Sequence, residues 1–139
     1  MSLGRTIPAM PVRDTAAAVA CYRDKFGFAV VHQDTGFAVL RRDDAVVHLW
    51  ESSDESWRSR DAGAEPVCSG AESFIAGTAS FRVEAVDIDG LYAELSAAGV
   101  LHYADPGAPT RTDFGTYEFA STDVDGNLIS FYRWVDQDG

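Results

Sequence analysis

Cysteine, basic charge and long apolar runs are all scarce in this sequence. Only two thiols are present, Cys21 and Cys68. Cys21 falls inside a helical pattern beside Tyr22, and Cys68 falls in a Ser/Gly/Pro stretch. Neither has the spacing of a metal knuckle, so both are expected to be free rather than bridged. No apolar run approaches the roughly 18–20 residues that a membrane span requires, so no membrane partner is expected. No basic-plus-apolar leader opens the chain, and the expected location is the cytoplasm. Lys and Arg together number 11 against 22 Asp and Glu, a formal net charge of −11. Nucleic acid is excluded as a partner on this balance, because phosphate binding needs a basic stripe. The sequence also lacks a Gly-x-Ser-x-Gly elbow, a phosphate loop and a dinucleotide fingerprint. No pair of carboxylates stands out as an acid/base couple, and no catalytic residue is assigned.

What is present suits one globular domain covering residues 1–139. Hydrophobic residues make up 46 % and charged residues 24 % of the chain, ordinary values for such a domain. The acidity has two readings at this level. It can serve solubility alone, or it can supply a field that draws in cationic ligands.

The chain contains one pattern twice. The first copy, residues 5–51, reads as strand Thr6–Val12, helix Thr15–Lys25 and strands Phe28–Gln33, Phe37–Arg42 and Ala45–Glu51. Thr15 suits a helix cap, Val19, Tyr22 and Phe26 follow at helical spacing, and Gly27 ends the helix. The second copy, residues 78–135, reads as strand Thr78–Ala85, helix Asp87–Ala98 and strands Val100–Ala104, Gly115–Ser121 and Leu128–Trp134. Leu91, Leu95 and Ala98 supply its helical stripe, and Gly99 is the stop. Val46-Val47-His48-Leu49-Trp50 matches Leu128-Ile129-Ser130-Phe131-Tyr132 position by position. Between the copies, residues 52–77 form a long connection rich in Ser, Gly, Ala and acidic residues, with Trp57 and Phe74 as its only aromatics. A connection of that length is usually functional or mobile.

These residues resemble a known superfamily. Ile7-Pro8-Ala9-Met10-Pro11-Val12-Arg13-Asp14 and Tyr22-Arg23-Asp24-Lys25-Phe26-Gly27-Phe28 are similar to the opening of the glyoxalase/bleomycin-resistance (vicinal oxygen chelate) superfamily, and Asp125-Gly126-Asn127-Leu128-Ile129 to its closing hairpin. Gly36-Phe37 and Phe114-Gly115, with Glu118-Phe119, resemble the bleomycin-resistance branch. The resemblance implies an α+β fold of tandem βαβββ modules forming an eight-stranded cup-shaped sheet, and a homodimer with two interface clefts. It further implies that metal-dependent members take one ligand from the first and one from the last strand of each module. Aligning Val12 with Val83 carries Ile7 onto Thr78, so the corresponding quartet is Ile7, His48, Thr78 and Ser130. Isoleucine cannot ligate, and neutral hydroxyls are poor ligands for zinc, nickel or iron. No metal and no cofactor is therefore expected.

Strand alternation separates Val47 and Leu49 from Val46, His48 and Trp50, and Ile129 and Phe131 from Leu128, Ser130, Tyr132 and Trp134. The apolar faces fit against helices. The mixed faces fit a cleft with aromatic walls and a few polar groups. The expected ligand-binding residues are His48, Trp50, Ser130, Tyr132 and Glu118, joined through the resemblance by Phe37 and Phe114. Asp34, Glu51 and Asp113 are nearby carboxylates, while His32 and His102 read as structural. The expected function is non-catalytic sequestration of a cationic bleomycin-type glycopeptide. Alternatives are a module for another small aromatic ligand, or a metal-dependent lyase or dioxygenase of the same fold.

Overall fold

A computed structural model describes residues 1–52 and 76–135. Its elements are β1 (Ala9–Val12), α1 (Thr15–Asp24), β2 (Ala29–Gln33), β3 (Phe37–Arg42), β4 (Ala45–Glu51), β5 (Ser80–Glu84), α2 (Ile88–Ala98), β6 (Thr110–Arg111), β7 (Thr116–Thr122) and β8 (Leu128–Trp134). Trp57, Cys68, Phe74 and most of the 52–77 connection lie outside the described residues.

The eight strands divide into two four-stranded sheets, ordered β1-β4-β3-β2 and β5-β8-β7-β6. In each sheet the first strand runs parallel to the last and the remaining pairs are antiparallel. The expected cup is thus present in one chain as two halves, not one continuous sheet. Helix α1 lies on β3 and β4, and α2 lies on β7 and β8. Alternation decides what each helix covers. Ala38, Leu40, Val47 and Leu49 are buried on the first sheet, as are Phe119, Ile129 and Phe131 on the second. Val19, Tyr22 and Phe26 meet the first set and Ile88 and Leu95 the second, in one hydrophobic core.

Local chemistry moves several expected boundaries. The cap of α1 is Asp14, whose carboxylate accepts from the Ala17 N–H. Thr15 is already helical and buried, and an ionised side chain one residue earlier suits the positive end of the helix. Asp87 caps α2 in the same way, and Gly99 closes it with φ 74°. β1 begins at Ala9 rather than Thr6. The expected strand Val100–Ala104 is reduced to a single bridge, Leu101 with Ser121. Beyond it the chain turns away, with Asp105 Oδ2 accepting from the Gly107 N–H. The edge of β7 is then taken up by the short β6. The break comes at His102, whose carbonyl accepts from the Asp105 N–H and whose ring Nδ1 accepts from the Ala104 N–H, closing a turn.

The two modules are joined by a buried polar node. Asp123, 6 % exposed, accepts the Tyr22 hydroxyl (2.8 Å) and the Asn127 amide (3.1 Å) on Oδ2, and the backbone N–H groups of Asp125 and Asn127 on Oδ1. Asn127 also donates to the Pro11 carbonyl (2.8 Å) and accepts from Gly77 and Ala79. Arg13 donates to Asp125 through its backbone and its guanidinium. At the other end Arg42 forms a two-pronged pair with Glu94, at 2.6 and 2.9 Å, and donates to the Phe26 carbonyl. Burial and the Asp123 charge raise the Tyr22 hydroxyl pKa, so it remains a donor.

Two predictions follow from the node. Gly77 has φ +90°, and a Cβ there would stand 2.4 Å from the Asp125 carbonyl oxygen. Gly77→Ala is expected to destabilise by about 2 kcal/mol or more in denaturant unfolding. Burial raises the Asp125 carboxyl above its ordinary pKa, opposed by the Arg13 N–H, and its Oδ2 is buried with no partner. The unfolded chain therefore ionises first as pH rises, and stability falls between the unfolded and the folded pKa. Asp125→Asn should raise the melting temperature at neutral pH and lose that advantage below about pH 4, where both forms are neutral.

Candidate functional site

The faces left uncovered by the helices carry most of the residues expected to bind a ligand. On the first sheet Phe37 pairs with Trp50, and Val39 with His48. The Phe37 and His48 rings meet edge to face with centroids 5.1 Å apart. His32 joins them at 6.3 Å from Phe37, although it reads as structural in the sequence. A register shift between Val30 and His32 sets His32 opposite Val39. That irregularity turns His32 onto the aromatic face, because one extra residue reverses the alternation. Its Nε2 lies 3.1 Å from Asp34 Oδ2, and this hydrogen bond lowers the Asp34 pKa. At the end of this face a hollow of about 620 Å³ is lined by Asp14, Gln33, Asp34, Thr35 and Glu51.

On the second sheet Glu118 pairs with Tyr132, and Ser130 lies between Ala120 and Arg82. Arg82 was not among the expected site residues, yet it organises this face. Its guanidinium donates to both Glu118 oxygens, at 3.0 and 2.5 Å, and sits 4.9 Å from the Tyr132 ring centroid. The Thr116 hydroxyl donates to Glu118 Oε2 at 2.7 Å. These bonds, with the one from Arg82 strongest, lower the Glu118 pKa. Tyr132 and Trp134 meet edge to face at 6.0 Å. Phe114 is not brought to this group: it precedes the turn at Gly115 (φ 95°) and is 61 % exposed.

The expected residues therefore form two groups. Phe37, His48 and Trp50 share one sheet face; Glu118, Ser130 and Tyr132 share the other. Among the described residues no hydrogen bond, ion pair or ring contact joins the two faces. A crevice of about 800 Å³ does open between the modules, but Phe28, Val47, Phe81, Val83, Leu91 and Phe131 are among its lining. Arg82 and Glu84 of β5 also line it, but none of the expected ligand-binding residues reaches it.

The structure also changes the quartet tested against a metal. Ala9 stands beside His48 and Arg82 beside Ser130, two residues along from Ile7 and four along from Thr78 respectively. The helix caps agree, Asp14 corresponding to Asp87. Alanine offers no donor and an arginine guanidinium is cationic, so Ala9, His48, Arg82 and Ser130 fit a divalent ion even less well. Among the described residues no three His, Cys, Asp or Glu cluster as a metal site. No helix among them is long and apolar enough to cross a membrane.

Residues 5–131 match the family model of the Glyoxalase/Bleomycin resistance protein/Dioxygenase superfamily. The chain is 47 % identical over 132 residues to a bleomycin resistance protein of Geobacillus stearothermophilus, covering 94 % of this chain and 97 % of the relative. A bleomycin resistance protein of Staphylococcus aureus strain MRSA252 matches to the same extent. Among solved structures, the bleomycin-binding protein from bleomycin-producing Streptomyces verticillus, complexed with copper(II)-bleomycin, superimposes with a TM-score of 0.69. It shares 24 % identity, covers 99 % of both chains, and establishes a common fold.

The donor set predicts that dialysis against Zn²⁺, Ni²⁺ or Mn²⁺, followed by desalting, leaves well under one ion per chain. Retention of one tightly held ion would contradict this reading of the quartet. Loss of the ion pair in Arg82→Met should raise the Glu118 pKa, measured by carboxyl NMR, because the main cause of its depression is removed.

Proposed function

Because the chain belongs to the Glyoxalase/Bleomycin resistance protein/Dioxygenase superfamily, we propose that it binds and sequesters a cationic bleomycin-type glycopeptide without altering it chemically. The observation that carries the proposal is the pair of exposed faces. One offers aromatic rings, Phe37 and Trp50 with His48, and the other a carboxylate, Glu118, beside Tyr132 and Ser130. Near identity in length to relatives named bleomycin resistance protein, at 47 % identity, supports the same assignment.

Such a drug carries flat heteroaromatic rings and positive charge. Ring stacking on aromatic walls and attraction by carboxylates suit both features. The net charge of −11 favours approach of a cation from solution. Neither face presents an activated nucleophile or a metal donor set, so binding alone accounts for resistance. Retention of the drug in the cytoplasm, away from its target, is the proposed cellular consequence.

A homodimer completes the site in this proposal. Each open face needs a second wall to exclude water from a bound ring, and two copies related by a two-fold axis supply two such walls. The aromatic face of one copy then closes against the carboxylate face of its partner, giving two clefts. Phe114, exposed at the end of the second sheet, lies free to meet a ligand at the rim.

Isothermal titration with metal-free bleomycin tests the proposal. One drug per chain is expected, with affinity falling as salt rises. Trp50→Ala should weaken binding by about tenfold, corresponding to about 1.4 kcal/mol for one lost stacking contact. Drug recovered after incubation should be chemically unchanged. Absence of binding by folded, dimeric protein, or conversion of the drug to a product, would overturn the proposal.

A further inference from the structure

The carboxylate face already holds a cation of its own. Glu118 and the ring of Tyr132 together form what a positively charged group needs: two acceptor oxygens and an adjacent π-face. Arg82 occupies both. Its side chain is 48 % exposed whereas that of Glu118 is 18 % exposed, so the guanidinium is the outer member of the pair and the carboxylate the inner one. Thr116, donating to Glu118 Oε2 and linked to Thr112 at 2.8 Å, holds the carboxylate in place independently of Arg82. The box therefore persists when its occupant leaves.

We propose that Arg82 is a displaceable internal counter-ion that sets specificity: a ligand cation binds by replacing the Arg82 guanidinium on Glu118 and Tyr132. The inference rests on the proposed binding of a cationic ligand at this face. Exchange of one half-exposed cation for another changes the local electrostatics little. A small inorganic cation gains nothing over Arg82. A ligand succeeds only if its charge comes with a flat apolar body that makes further contacts, as on the aromatic face around Phe37 and Trp50. Planar guanidinium or amidinium groups attached to aromatic rings are the chemical class that fits best, because they reproduce the geometry Arg82 vacates. Ser130 and Ala120, the neighbours across the strands, are small enough to leave room for the departing side chain.

Two titrations test this on the full-length protein, using wild type, Arg82→Ala and Arg82→Met. With metal-free bleomycin, removing Arg82 should tighten binding by roughly two- to fivefold, the competition expected of an exposed ion pair. The gain should disappear when Glu118→Gln is added. With phenylguanidine as a minimal probe, the Glu118 carboxyl resonance should respond in both Arg82 variants at concentrations that leave wild type unchanged. A Glu118 resonance in folded Arg82→Met that ignores phenylguanidine would overturn the inference, even if bleomycin binds. So would weaker bleomycin binding on losing Arg82, which would make Arg82 a direct ligand contact. A phenylguanidine response without bleomycin binding would uphold the cation box and overturn only the choice of drug.

Discussion

Asp123 is a carboxylate almost out of water, and the relative placement of the two modules depends on it. A buried carboxylate is tolerated only when its oxygens are well supplied with donors. Asp123 has four, two from side chains on different segments and two from its own turn. Tyr22 comes from the helix of the first module, and Asn127 reaches back to the carbonyl of Pro11 in its first strand. Tyr22 and Asn127 are themselves buried, so removing either would strand a polar group in the core. The Asp-x-Asp-Gly-Asn turn is thus a tie between modules, although in the sequence it reads as a simple hairpin. Arg42 and Glu94 make a second, more exposed tie across the same junction.

That tie fixes which surfaces remain available. Each helix covers one side of its own sheet, so the uncovered sides face outward on separate halves of the molecule. The aromatic rings gather on one of them and the Arg82–Glu118–Tyr132 group on the other. The first face is built around Phe37, His48 and Trp50, whereas the second sets a carboxylate beside Tyr132 and Trp134. In the proposed homodimer a second copy would bring the two kinds of face together. The acidic composition then contributes at long range, whereas the occupied carboxylate acts at contact and discriminates among cations.

Much of this arrangement was legible in the sequence, because strand alternation is a strict rule. The faces of β4 and β8 are as the alternation of Val47/Leu49 and Ile129/Phe131 requires, and the bounds of β3, β4 and β8 agree with expectation. The failures occur where alternation is interrupted. His32 moves to the aromatic face through an irregularity that no local composition announces. Phe114, expected in the site through the resemblance alone, precedes the turn at Gly115 and lies outside β7. Aligning the first strands on Val12 and Val83 misses the register by two residues, because Val12 corresponds to Ala85 in the structure. Asp14 and Asp87 give the correct register and would have placed Arg82 beside Ser130. Nothing in the sequence marks Arg82, because a lone cation in an acidic chain forms no pattern without its partner Glu118 in view.

The most direct test of the account is bleomycin titration of a mixed dimer, one copy carrying Trp50→Ala and the other Tyr132→Ala. If each cleft combines the aromatic face of one copy with the carboxylate face of the other, one cleft receives both substitutions and the other receives neither. One drug should then bind per dimer with wild-type affinity, while each variant alone binds weakly at every site. Weak binding at every site of the mixed dimer would contradict the account, because it would mean that each cleft is built within a single chain.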